Sequence, residues 1–185
     1  MLTVAALRTE LCFSPRPRAA LGVGQRARAR LRWILEGERP AGVLVVGFSG
    51  ATRASLPVGG LVLASSAGGV RVPDGLLERA RKALPGAKVG PVAQASSLAS
   101  PEEKARLGVE ALAVDMESAD LAAELSSRGV PFLILRCILD ALWEDPSRGP
   151  HIRWARRALL CARRLGRAAR ALAPVLQGVE PWRAA

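Results

Sequence analysis

The stretch from Val114 to Asp140 concentrates the residues best suited to chemistry: Val114-Asp115-Met116-Glu117-Ser118, a segment of helical pattern, Gly129-Val130-Pro131, then the apolar run Phe132-Leu133-Ile134-Leu135 leading into Arg136-Cys137-Ile138-Leu139-Asp140. The pattern predicts a strand ending at Val114 that delivers Glu117 into the first turn of a helix, and a second strand, entered after the helix stop at Gly129, that delivers Asp140 at its C-terminal end. Two carboxylates then stand at equivalent strand ends, the edge at which open α/β sheets bind ligands. Carboxyl groups there can donate or accept protons at a bound molecule. The apolar neighbours Ile138, Leu139, Ala141 and Leu142 favour the protonated form of Asp140. Each residue also has a plainer role open to it. Glu117 can simply complement a helix dipole, Asp140 can be a cap or loop charge, and Glu10, a third acid after a short N-terminal strand, occupies a common position for one. Arg136 reads as a structural or subunit-contact arginine, and His151 as a surface or capping residue.

The elements that must position these groups alternate along the chain. Leu2 to Leu7 reads as a strand, Ala19 to Leu35 as a helix, Val43 to Gly47 and Leu61 to Ala64 as buried strands, and Pro73 to Leu84 as a helix closed by Pro85-Gly86. Val89 to Ala93 is a further strand. Ser100 followed by Pro101-Glu102-Glu103 has the form of an N-cap, a proline at the first helical position and an acidic first turn, predicting a short helix to about Leu107. Ala111 to Val114, the helix Met116 to Arg128, the strand Pro131 to Ile138 and a long helix from about Pro150 to Leu176 complete the series. Short apolar runs alternating with helical patterns predict an α/β fold, a mostly parallel central sheet flanked by helices.

A chain of 185 residues, 50% apolar, can bury its own core, and one domain over residues 1–177 with a loose tail at 178–185 is expected. No apolar run reaches the roughly 20 residues that span a bilayer. Met1-Leu2-Thr3-Val4 runs to Arg8 and Glu10 with no signal-peptide pattern, so a cytoplasmic protein is expected. Three widely spaced cysteines and one histidine support neither a disulfide framework nor a zinc site, and Cys137 reads as a small core residue. The formal charge of +11 raises the question of a nucleic-acid partner. Its arginines lie in two helical segments, Arg16 to Arg32 and Arg153 to Arg170. In the second, Ile152, Ala155, Leu159, Ala162, Leu165, Ala169 and Leu172 recur at three- and four-residue steps, the pattern of an amphipathic helix with a solvated Arg face. With no Tyr and four scattered Trp residues there is no stacking platform for single strands, which argues against nucleic acid.

Asp115-Met116-Glu117 and Pro131-Phe132 through Arg136 to Asp140 resemble the signature of the nucleoside phosphorylase and nucleosidase superfamily, a D/E-M-E at a helix start and a strand of the form P-F-x-x-x-R-x-x-x-D. Val4 to Glu10 is similar to the first strand and acidic turn of the methylthioadenosine/S-adenosylhomocysteine nucleosidases, with Glu10 on the last glutamate of their G-A-M-E-E-E. Gly47-Phe48-Ser49-Gly50-Ala51 resembles the family's Gly-rich turn, and Gly60 replaces the Asp of the following V-G-D strand. Pro101-Glu102-Glu103-Lys104 resembles the P-E-E-K of the branch of futalosine hydrolases and hopanoid-associated phosphorylases. The resemblance implies a nucleoside phosphorylase-like fold and cleavage of the N-glycosidic bond of a purine nucleoside or a 5'-substituted one. Asp140 would protonate the leaving base, Glu117 would hold the ribose hydroxyls with Met116 packed on the sugar, and Glu10 would orient and deprotonate water. Phe48, Ser49 and Gly50 would line the substrate. No metal or organic cofactor is implied, and the resemblance suggests a homo-oligomer, a dimer being favoured, with a small-molecule nucleoside as partner.

Departures from the family pattern bear on the nucleophile. The phosphorylases' R-V-G-S-C-G-A binds phosphate through Arg and Ser, where this chain has Val45 and Phe48, and their N-terminal G-D-P loop is missing. Water is therefore expected as the nucleophile, with phosphorolysis the alternative if Arg53 supplies the lost cation. Leu139 stands where nucleosidases usually carry Ser, and Ser96 to Ala99 holds no aromatic residue. Shortened segments between Leu35 and Ala41 and between Ala64 and Pro91 imply a somewhat reduced fold. These losses keep open a catalytically weakened protein that only binds a nucleoside, or a basic interaction module. The glycines at 47 and 50 allow either a phosphate cradle of backbone N–H groups or a plain tight turn.

Overall fold

The computed structural model describes residues 1–148 and 151–178. The expectations for a helix start at Pro150, for the His151 side chain and for the tail beyond Gly178 lie outside the described residues. One eight-stranded sheet organises the molecule: β1 (Leu2–Ala5), β2 (Arg18–Ala20), β3 (Val43–Ala51), β4 (Leu61–Ala67), β5 (Val70–Arg71), β6 (Lys88–Gln94), β7 (Ala113–Asp115) and β8 (Phe132–Asp140). The helices are α1 (Gln25–Gly37), α2 (Asp74–Ala83), α3 (Pro101–Leu107), α4 (Ser118–Ser127) and α5 (His151–Gln177). Because β8 pairs with both β3 and β4, the strands β3, β7, β6, β4 and β8 close into a ring, and β1 and β2 extend from β3. Five pairings are parallel, but β3 with β7, β4 with β5 and β4 with β8 are antiparallel. The sheet is thus mixed rather than purely parallel. Among the described residues no helix is long and apolar enough to cross a membrane.

The centre of the sheet follows from apolar runs covered on both faces. Val43 to Val46 of β3 lie alongside Phe132 to Leu135 of β8, and all but Phe132 are inaccessible to solvent. Each such Val, Leu or Ile contributes about 1.5–3 kcal/mol by leaving water. Leu133→Ala, at the middle of this pairing, would cost about 2–5 kcal/mol. Onto β8 packs α5, through a buried stripe of Cys161, Leu165, Ala169, Leu172 and Leu176. The apolar periodicity read upstream of that stripe does not mark a buried face. Ile152 and Leu159 stay exposed, so the docking face begins only at the third turn, where the helix meets β8.

The helix expected from Ala19 starts later. Arg18–Ala20 form a strand parallel to Thr3–Ala5, and Gly22 and Gly24, at φ of +89° and +62°, separate it from α1. Pairing with β1 overrides the helix propensity of the two alanines, and the glycines supply backbone conformations that end any helix. α3 starts as its sequence predicts. Ser100 Oγ accepts a hydrogen bond from the Glu103 amide at 3.3 Å, with Pro101 at the first helical position. Cys137 and Cys161 are both buried thiols, so Cys137 is a core residue as its setting implied.

Candidate active site

Glu10, Glu117 and Asp140 come from three separate parts of the chain and all line one cavity of about 180 Å³ at the end of the sheet. Phe48, Ser49, Gly50 and Met116 line it too. The Ser49 hydroxyl is buried and has no hydrogen-bond partner among the described residues.

The Gly47–Gly50 segment is not a turn, as its glycines suggested, but the continuation of β3. Both glycines are there because other side chains need their space. A Cβ at Gly47 would overlap the Arg136 guanidinium, and one at Gly50 would come within 2.9 Å of both Asp140 Oδ2 and Lys104 Cε. β3 also shifts register against β8 at Ser49/Gly50, which brings Gly50 opposite Asp140.

Glu10 sits in a single turn of 3-10 helix, Arg8–Leu11, beyond the end of β1, and is 4% exposed. Its two oxygens accept amide hydrogen bonds from Phe48 and Leu7, each at 2.7 Å. Burial nevertheless pushes its pKa up to about 7. The two amides and the Arg136 charge oppose that rise, and the Glu117 charge adds to it. A carboxylate poised there can take a proton near neutral pH.

Glu117 precedes α4 as its capping residue rather than lying in its first turn, with φ −135° and ψ −18°. Its side chain does not cap the helix. That task falls to Asp115, whose Oδ1 accepts from the amides of Glu117 at 3.2 Å and Ser118 at 3.0 Å. Glu117 instead turns away and accepts from the Gly24 amide at 3.1 Å, so the glycine break ahead of α1 supplies a donor to the site. Burial raises the Glu117 pKa, against the pull of the Gly24 amide and Arg136. Behind it lies Arg136, 2% exposed. Its Nε meets Asp115 Oδ2 at 2.6 Å, and its Nη2 donates to Ser118 Oγ at 2.8 Å. Arg136 is thus the structural arginine expected from its place in the strand, holding the start of α4 against β8.

Asp140 is the last residue of β8 and 4% exposed, so it is neither a helix cap nor a loop charge. Burial raises its pKa, as the apolar neighbours predict, and an ion pair with Lys104 opposes the rise. Lys104 is the residue that sequence reasoning missed. Its signal was a lysine on the inward face of a short helix, between the Ser100 cap and Leu107 at three- and four-residue steps. Arg53 does not supply a cation to the cavity. It lies on the surface, where its Nε donates to the Gly108 carbonyl at 3.1 Å.

The closed mixed ring is a fold this chain shares with solved structures. No family model matches the sequence, and no curated protein is significantly similar to it. Solved structures are similar over nearly the whole chain. Helicobacter pylori 5'-methylthioadenosine/S-adenosylhomocysteine nucleosidase, solved with a pyrrolidinol ligand, superposes with a TM-score of 0.80 at 18% identity, covering 94% of this chain and 97% of that one. The Streptococcus pneumoniae enzyme of the same name, with a transition-state inhibitor, gives 0.80 at 15% identity over 92% and 96%. Futalosine hydrolase of H. pylori gives 0.79 at 17% identity over 94% and 96%. The fold is therefore that expected from the superfamily signature.

Proposed function

We propose that this protein is a nucleosidase, hydrolysing the N-glycosidic bond of a purine nucleoside or a 5'-substituted purine nucleoside. The observation that carries the reading is the meeting of three acids with three different settings in one cavity. As the bond to the base breaks, positive charge grows on the ribosyl ring and negative charge on the purine. Asp140, whose pKa burial raises against the pull of Lys104, gives its proton to N7 and so neutralises the leaving group. Glu117 accepts hydrogen bonds from the ribose hydroxyls, its carboxylate facing the growing positive charge, and Met116 packs against the sugar. Glu10, with a pKa near 7, orients a water and takes its proton as that water attacks the anomeric carbon. Solved nucleosidases of like fold, at 15–18% identity, support the reaction class.

Water is preferred to phosphate because of what surrounds the cavity. Phe48 stands at the position where a phosphate-binding serine would be expected, and Arg53 is remote. The test is a panel of adenosine, inosine, methylthioadenosine and futalosine, each with and without phosphate, with free base measured. Base released without phosphate supports hydrolysis, and base released only with phosphate replaces it by phosphorolysis. Saturable binding without any release leaves a nucleoside-binding protein.

A further inference from the structure

Lys104 has no task in the reaction above, yet it is 1% exposed at the wall of the cavity. Removing an ammonium from water is unfavourable, and one kept this deep needs every hydrogen matched. Lys104 meets that requirement. Its charge is paired with the Asp140 carboxylate, and it donates to the Ala141 carbonyl at 3.1 Å and the Glu144 carbonyl at 2.5 Å. No donor is left for a substrate, so any influence on the reaction passes through Asp140. The contact is made at Oδ2, the buried oxygen of that carboxylate, and this leaves Oδ1 as the oxygen available to a ligand.

Resting on the nucleosidase reading, we propose that Lys104 is a positioning residue for Asp140: it fixes the carboxyl by Oδ2 with Oδ1 turned to the base, and it sets the pH at which the acid releases its proton. In the step itself the Asp140 O–H bond breaks and an N7–H bond forms. The pair of electrons left on Asp140 makes a carboxylate directly beside the Lys104 ammonium. The cation stabilises the state that follows transfer more than the neutral acid that precedes it, so it favours departure of the base.

The charges around Asp140 single out Lys104 for this role. From α3 comes Lys104 itself, from the turn after β8 come Glu144 and Asp145, and from α5 comes Arg157. Arg157 is paired with Glu144 at 2.6 Å and Arg153 also reaches Glu144, at 3.4 Å, so those charges largely compensate one another. Glu10 and Glu117 share the cavity as acids. Lys104 is the cation in direct contact with Asp140, and Gly50 keeps the space in which the two meet.

The test reads the carboxyl of Asp140 directly, by ¹³C NMR of the substrate-free protein with Asp140→Asn for assignment, and the Lys104 Nζ signal by ¹⁵N NMR. In the wild type the Lys104 signal should shift at the same midpoint as the Asp140 carboxyl. In Lys104→Met, and in Lys104→Gln, which keeps a neutral donor for the same carbonyls, the Asp140 midpoint should rise by about one pH unit or more. The alkaline limb of kcat/KM on the best nucleoside should move up with it, while kcat falls about 10–100-fold and KM changes little. A merely structural lysine would lower the activity without moving that limb. The proposal is overturned if the Asp140 midpoint is the same with and without Lys104, or if the Lys104 signal ignores the titration of Asp140. Should the variants not fold, the wild-type pair of titrations decides alone. Coupled titrations in a protein that cleaves no nucleoside would sink the nucleosidase reading and leave the control of Asp140 standing. Nucleoside cleavage with an unmoved alkaline limb would do the reverse.

Discussion

Replacing Glu10 by Gln should change how the stability of this protein depends on pH, and by an amount the structure sets. Glu10 ionises near 4.5 when the chain is unfolded and near 7 when folded, because burial outweighs its two amide donors. Below pH 4.5 both states hold the proton and its full contribution to stability is present. Between 4.5 and 7 the unfolded state ionises while the folded state must keep its proton, so stability falls as pH rises and levels off above 7. At about 1.36 kcal/mol per pH unit the fall amounts to about 3 kcal/mol. Gln can still accept from one of the Phe48 and Leu7 amides but opposes the other with its own NH2, a loss that is constant with pH. Urea unfolding of both proteins from about pH 4 to about pH 8 therefore isolates the charge. The wild type should lose about 3 kcal/mol relative to Glu10→Gln across that range. Curves that stay parallel within about 1 kcal/mol would refute the claim that Glu10 is buried with a neutral-range pKa.

In an active protein, kcat/KM should rise with pH through about 7 as Glu10 ionises, and Glu10→Gln should abolish that limb of the profile. Asp140→Asn should reduce kcat by about 10²–10⁴-fold with the fold intact by circular dichroism, and an unchanged kcat would remove Asp140 from the mechanism. Glu124 joins α1 to α4 by accepting from Arg28, Arg32 and Arg128, and these hold its pKa down at about 2. Its contribution is present above pH 4.5 and lost as the pH falls toward 2. Since the arginines are partly solvated, Glu124→Gln should cost about 1–2 kcal/mol at pH 7 and almost nothing near pH 2, by urea or thermal unfolding. Gly47→Ala would drive a Cβ into Arg136 and loosen its buried pair with Asp115, an expected loss of about 3–5 kcal/mol in unfolding experiments.

The order of elements was legible because the strands of the ring are short apolar runs and the helices carry ordinary start signals. Ser100-Pro101-Glu102-Glu103 alone located α3. What the sequence hid were effects of tertiary contact. Ala19 and Ala20 prefer a helix by themselves and become strand only because Thr3–Ala5 lie beside them. Gly47 and Gly50 resemble turn glycines, and nothing local reveals that Arg136 and Lys104 occupy the space their missing side chains leave. The three acids were recognisable one by one from their places at strand ends and helix starts. Their convergence depends on β3, which pairs with β8 and β7 and whose Phe48 amide holds Glu10, a set of non-local contacts without a local signature. Lys104 was in plain view as part of Pro101-Glu102-Glu103-Lys104, but its partner lies 36 residues further on, and only the fold brings the two together.

Turnover in H2¹⁸O, with phosphate absent, examines the account at its centre. Hydrolysis at the anomeric carbon by a water held at Glu10 predicts free purine together with a sugar that carries ¹⁸O at its anomeric hydroxyl when read before solvent exchange through the open chain, and both products should form about 10²–10⁴-fold more slowly in Asp140→Asn. No base from any nucleoside of the panel, or a sugar 1-phosphate formed only when phosphate is supplied, would contradict it.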